Sequence, residues 1–146
     1  MSYCTQNINS AGDIAPNRIS FEQMNQLTND EESGSNPQAV LDAANRDAAT
    51  EIDGYCKRYV TPFNPVPDRI KSLAVDIVVH NLYKKRPSNE PEAVRKHYED
   101  AIAFLKLVSL GRAEIPGAVE KVNSNSSVPT TGGYVKQQDS VFGGNW

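Results

Sequence analysis

Prolines divide the middle of this 146-residue sequence into segments whose apolar residues repeat at the spacing of an α-helix. Asn36 followed by Pro37 is typical of a helix start, because asparagine caps the first turn and proline tolerates the first helical position. The interruptions come at Pro62, Pro65 and Pro67, and again at Pro87 and Pro91. Since proline ends or kinks a helix, the segment can form only short helices that pack on one another.

Four helices are predicted, each with one apolar stripe. The first begins near Ser20 and carries Phe21, Met24 and Leu27. The stripes of the next three are Val40, Leu41, Ala44, Ala48, Ile52, Tyr55, Cys56 and Tyr59; Ile70, Leu73, Ala74, Ile77, Val78 and Leu82; and Val94, Tyr98, Ala101, Ile102, Leu105 and Val108. Residues 74–79 are apolar on more than one side, which predicts a central third helix. No strand-like alternation interrupts residues 37–111, so the sequence predicts an all-α fold, a small antiparallel bundle.

The two ends of the chain differ in composition from this body. We expect an irregular N-terminal extension over residues 1–18, a helical body over 19–112 and an extended C-terminal arm over 113–146. Five of the nine glycines and a Ser/Asn/Thr run lie within residues 117–146. Such a composition buries too little apolar surface to fold alone, so we expect the arm to be ordered by a partner; the alternative is that it folds back on its own body. Its predicted anchors are Tyr134, Val135, Val141, Phe142 and Trp146.

The charge distribution argues against a protein that grips nucleic acid. Fifteen Lys and Arg stand against eighteen Asp and Glu, for a net charge of −3. The basic run Lys84, Lys85 and Arg86 follows the third helix, where cations favour the negative helix end, and it is a candidate contact for an acidic protein neighbour. The third helix also does not suit the role of a DNA-recognition helix, because its stripe is apolar and typical of a buried core.

No catalytic, cofactor-binding or metal-binding pattern emerges. Cys4 and Cys56 are far apart and form no zinc-ligand spacing, which predicts two free thiols. Cys56 with His80 or His97 could form a nucleophile and base, but a cysteine on an apolar stripe is typically a small buried hydrophobe. The carboxylates of residues 51, 53, 99 and 100 are expected to be solvated. The sequence also predicts neither a secretion signal nor a membrane span.

The order of several motifs in the body resembles the small head–tail connector proteins of tailed bacteriophages, in particular their Mu-like branch. The resemblance rests on residues 51–55 (EIDGY), Arg58-Tyr59, Pro62, Val66-Pro67, residues 74–77 (AVDI), Tyr83, Arg86, residues 98–101 (YEDA), Gly111 and the opening MSYCT. It covers roughly residues 20–112. The sequence departs from the family pattern in a longer N-terminal region, with residues 9–18 looking inserted, and in its long C-terminal arm.

The resemblance implies a non-catalytic all-α adaptor that forms a ring, commonly of twelve copies, under the phage portal protein. The ring would join the portal to a neck or tail-terminator protein, and DNA would pass through without sequence-specific binding. Localisation would be the head–tail junction of the virion, and the host cytoplasm during assembly. The arm would dock on the portal or on an adjacent subunit. The alternatives are a small helical DNA- or protein-binding regulator, or an enzyme that uses Cys56 or a carboxylate.

Overall fold

A computed structural model describes residues 3–4, 21–28, 36–84 and 86–122. These ranges form four α-helices: α1 (Phe21–Thr28), α2 (Pro37–Tyr55), α3 (Asp68–Tyr83) and α4 (Glu92–Ser109). A short 3-10 turn, Pro87–Asn89, precedes α4. Within the described ranges the extended pairing is limited to one isolated antiparallel bridge, between Tyr59 and Glu120. The predicted all-α fold is therefore confirmed.

The helix ends are set by local interactions that the sequence predicts. The Asn36 side chain accepts a hydrogen bond of 2.8 Å from the backbone N–H of Gln38, which caps α2 as predicted. Gly111 ends α4 with a φ of +75°, a left-handed conformation that favours glycine. The N–H of Gly111 then reaches the carbonyl of Val108 at 3.0 Å, and the N–H of Arg112 reaches that of Leu107 at 2.8 Å. This pair of bonds is the Schellman arrangement.

Helix α3 lies at the centre of the bundle and packs against α1, α2 and α4. Its buried residues are Ile70, Leu73, Ala74, Val75, Asp76, Ile77, Val78, Val79, Leu82 and Tyr83. Its exposed side chains are confined to the first turn, at residues 68, 69 and 71. The prediction of a central third helix is confirmed, and this helix presents no long polar face that could enter a DNA groove.

The start of the chain is pinned to the bundle. Tyr3 is 1% exposed, and its ring packs edge-on against Phe63 with centroids 5.5 Å apart. The Tyr3 hydroxyl donates to the carboxylate of Asp53 and accepts from the backbone N–H of Phe63 at 3.4 Å. Beside it, the amide of Asn45 donates to the Cys4 carbonyl at 3.5 Å. Two residues of the segment predicted as an irregular extension thus contribute to the core.

Residues 113–122, here called the C-terminal strap, fold back on the bundle after α4. Ile115 is 3% exposed, and its backbone N–H donates to the Tyr59 hydroxyl at 3.2 Å. A turn at Gly117, with a φ of +82°, then directs the chain toward the segment that follows α2. The structure therefore places the strap against the body, and residues 123–146 of the predicted arm lie outside the described residues.

Candidate protein-docking surfaces

A groove of about 390 Å³ opens between α1, the first half of α2 and the end of α3. It is lined by Leu27, Ala39, Val40, Ala43, Ala44, Asp47, Asn81, Leu82 and Lys84. The three alanines explain the hollow, because each side chain ends at Cβ and α2 therefore leaves space between its neighbours. We call this feature the alanine groove. Its volume lies within the range of pockets that hold a small molecule or a few side chains.

The alanine groove has a mostly apolar lining and charges at its rim. Asp47 and Lys84 are both exposed, and they supply one negative and one positive charge. Asn81 ties the two helices together at this point, since its side-chain amide donates to the Ala44 carbonyl at 3.3 Å. The bond fixes the end of α3 against α2, so the groove is held open by the fold itself.

The C-terminal strap forms a second candidate surface. Two backbone hydrogen bonds hold it beside the segment after α2, from Val60 to Val119 at 2.8 Å and from Lys121 to Arg58 at 2.9 Å. In this pattern the backbone N–H and C=O of Glu120 point away from the paired segment. The Glu120 carboxylate also meets the Arg58 guanidinium at 3.2 Å. The strap is thus short and firmly attached, and its outer edge carries free hydrogen-bonding groups in the part of the chain that the structure describes.

Exposed valines surround this strap. Val60, Val119 and Val122 are 48%, 68% and 95% exposed. A notch of about 70 Å³ lies beside Val60 and Val119, between the proline-rich α2–α3 connection and Gly117. Unpartnered apolar side chains beside a free backbone edge are typical of protein-contact surfaces.

The alanine groove and the strap lie at opposite ends of α2. The groove uses residues 39–47 of that helix, whereas the strap pairs with residues 58–60, just beyond its end. Tyr55 lies twelve residues beyond Ala43, which corresponds to about 18 Å along the helix. The chain therefore continues toward the predicted arm from the end of the bundle that is remote from the groove.

The predicted interface residues are only partly covered by the structure. Lys84 caps α3 and lies at the rim of the alanine groove, while Arg86 is exposed on the turn that follows. Lys85 and all five arm anchors, Tyr134, Val135, Val141, Phe142 and Trp146, lie outside the described residues. Their roles as protein contacts stay predictions.

Cys56 has the environment of a packing residue. Its side chain is fully buried, and burial, followed by the nearby Asp53 charge, raises the pKa of the thiol to about 11. A thiol with that pKa stays protonated near neutral pH and is a poor nucleophile. Among the described residues no group of three or more His, Cys, Asp and Glu side chains could hold a metal ion. In the same ranges no helix has the length and apolar character of a membrane span.

A half-buried polar seam joins three helices and is formed by His80, Glu90, Tyr98 and Glu51. His80 Nδ1 lies 2.5 Å from a carboxylate oxygen of Glu90, and the imidazole stacks on the Tyr98 ring with centroids 3.8 Å apart. The Tyr98 hydroxyl donates to Glu51 at 3.2 Å. Burial and the Glu51 charge raise the pKa of Tyr98 to about 12. His80 therefore has a structural partner set that links α2, α3, α4 and the turn before α4, while His97 is exposed.

Residues 3–131 match the model of the protein family described as Bacteriophage Mu, Gp36. The chain belongs to this family. It is accordingly a phage virion or morphogenesis protein of a structural family. No curated protein matches the chain.

The match to the Gp36 family spans every helix of the bundle and both segments that pin its ends. It begins at Tyr3, the first residue seen in the core, and it includes the whole C-terminal strap. It ends at Thr131, three residues before Tyr134, the first predicted anchor of the arm. The family assignment therefore rests on the folded body and stops short of the arm anchors.

Several residues that hold these surfaces in place give no signal in the sequence. Tyr3, Phe63 and Ile115 lie outside any periodic helix, so helical spacing gives no signal for their burial. The pairing of His80 with Glu90 joins residues ten apart across a turn, and no local pattern indicates it. The alanines of α2 are visible in the sequence, but a thin helix face favours close packing of a neighbour and does not by itself indicate an open groove.

Proposed function

We propose that this protein is a head–tail adaptor that forms a ring beneath the phage portal and joins it to the neck or tail. The observation that carries the proposal is the Gp36 family match over residues 3–131. The order of motifs in the helical body, which resembles phage connectors, supports the same role. Twelve copies per ring is the number that this resemblance implies.

The architecture suits a subunit of a closed ring. A ring built head to tail needs two different surfaces on each subunit, one for each neighbour. In this proposal the alanine groove and the C-terminal strap that leads into the arm, at opposite ends of α2, would supply two such surfaces. Both ends of the described chain are attached to the core, through Tyr3 and through Ile115, so each subunit presents these surfaces from a firm body.

The charge of the chain suits a channel through which DNA passes. The net charge is −3, and twelve copies would carry −36. A strongly basic lumen would retain the duplex by phosphate contacts, whereas an acidic ring has no such attraction. DNA would thus traverse the ring without sequence-specific binding.

The arm supplies the attachment in this proposal. Its five predicted anchors would dock on the portal or on an adjacent adaptor subunit. In a ring, many weak contacts act together and give an avidity far above that of a single arm. Each arm would need only a modest affinity for its binding surface, and the ring as a whole would still stay attached.

The test is reconstitution with the portal protein of the same phage, followed by native mass spectrometry and electron microscopy. The full chain is expected to add a ring of about twelve copies to the portal. A truncation after Val122, which keeps the strap and removes the anchors, is expected to lose that ring. A portal that gains no copies of the full chain would refute the adaptor role. Normal ring formation by the truncated chain would refute the arm's part in it.

A further inference from the structure

We infer that the alanine groove of one subunit receives the C-terminal arm of a second copy of this chain. The inference deepens the proposed function and rests on it, since it chooses the adjacent subunit over the portal as the arm's receptor. It also assigns the contact to a defined place on the body, between α1, α2 and the end of α3.

The first argument is the fit between the groove and the arm. The groove holds about 390 Å³ and has an apolar lining formed by Leu27, Val40, Leu82 and the alanines. The arm carries its apolar residues as two adjacent pairs, Tyr134-Val135 and Val141-Phe142, followed by Trp146. A pocket of this volume accommodates one or two such side chains, so a short stretch of the arm would occupy it.

The second argument is charge. The rim of the groove carries one acid, Asp47, and one base, Lys84. Between its two apolar pairs the arm carries one base, Lys136, and one acid, Asp139. Docked through one apolar pair, the arm would bring Lys136 toward Asp47 or Asp139 toward Lys84, and either pairing of opposite charges favours its register over one that brings like charges together.

The third argument is position. Beyond Val122 the chain has 24 residues, enough to span about 80 Å if extended. It departs from the end of α2 remote from the groove, so the arm of one subunit and the groove of the next can meet when subunits are arranged head to tail. Arm and groove are also different surfaces, as a ring with cyclic symmetry requires.

The experiment uses the full chain and its single tryptophan, Trp146, as a reporter of the arm. Trp146 fluorescence is expected to shift to shorter wavelength as protein concentration rises, in step with the growth of mass measured by sedimentation. Ala39→Arg places a long charged side chain in the groove and is expected to weaken self-association by ~10-fold or more. The matched control is Ala103→Arg on α4, which is also exposed and helical and is expected to change neither signal.

A mixing experiment identifies the occupant. Ala39→Arg has an intact arm, and Phe142→Ala has an intact groove, so each alone is expected to stay monomeric while their mixture forms dimers. Circular dichroism of each variant checks that the helices are intact. A blue shift of Trp146 fluorescence that is independent of concentration would mean that each arm occupies the groove of its own subunit. The absence of a shift at any concentration would mean that the arm binds no groove. Either result overturns the inference. Portal binding by a chain that fails to self-associate would overturn the inference alone and leave the proposed function standing.

Discussion

Removal of the Tyr3 side chain should destabilise the whole bundle, although Tyr3 lies outside the four helices. Tyr3 is 1% exposed, packs against Phe63 and bonds to Asp53. Truncation of a buried aromatic to alanine typically costs about 3–5 kcal/mol. Tyr3→Phe keeps the ring but leaves the Phe63 N–H and the Asp53 carboxylate without their partner, for which about 1–3 kcal/mol is expected.

Urea unfolding followed by circular dichroism measures both losses. With a slope of about 2 kcal/mol per molar urea for a domain of this size, Tyr3→Ala should lower the midpoint by about 2 M, and Tyr3→Phe by about half as much. Tyr134→Ala is the matched control, because it makes the same chemical change in the arm and is expected to alter stability by less than about 0.5 kcal/mol. If Tyr3→Ala unfolds at the wild-type midpoint, the N-terminal segment is not part of the core and the reasoning is refuted.

Three further predictions concern single positions in the body. Gly111→Ala should lower the free energy of unfolding by about 1–2 kcal/mol, because Gly111 has a φ of +75°. Gly54→Ala should instead raise it by about 0.5–1 kcal/mol, because an added Cβ there meets nothing within 4 Å. Equal effects of the two variants in urea unfolding would contradict the assigned helix end. The pKa of Cys56 is raised from 9.0 to about 11, so the stability that its neutral thiol contributes is complete below pH 9.0 and is lost as pH rises through about 11. The urea midpoint should therefore fall with pH over that window less steeply in Cys56→Ala than in the wild type. An equal fall in the two proteins would refute the raised pKa of Cys56. His80→Ala should cost about 1–3 kcal/mol of stability, because it leaves the half-buried Glu90 carboxylate without its partner. His97 is exposed, so His97→Ala should cost less than about 0.5 kcal/mol. Similar thermal unfolding of the two variants would argue against the polar seam.

Local rules predict the helices of this protein well. The start of α2 at Asn36-Pro37 and the end of α4 at Gly111 both follow from the chemistry of one or two residues. The buried position of α3 follows from an apolar run that covers more than one side of the helix. These features could be predicted because each depends on residues within a few positions of one another.

The segments that close the bundle could not be predicted in the same way. The burial of Tyr3 depends on Phe63, sixty residues away, and that of Ile115 on Tyr59, fifty-six residues away. Their sequences contain no period, so only tertiary contacts decide their positions. The alanine groove falls between the two cases, because its alanines are visible in the sequence while its walls come from three different helices.

The structure also changes where the arm should be taken to begin. The sequence predicts an arm from residue 113, but residues 113–122 pack against the body as the C-terminal strap. A truncation meant to remove only the arm should therefore follow Val122, because a cut at Pro116 would also remove the pairing of Val119 and Lys121 with the segment after α2.

Cryo-electron microscopy of the neck of the phage particle that carries this protein tests the central claim most directly. The adaptor proposal predicts a ring of copies of this chain, about twelve in number, in contact with the portal and surrounding the DNA channel. In that ring, density for residues 123–146 of each copy should run to the alanine groove of its neighbour. A neck in which this chain is absent, or lies elsewhere in the particle and away from the portal, would contradict the account.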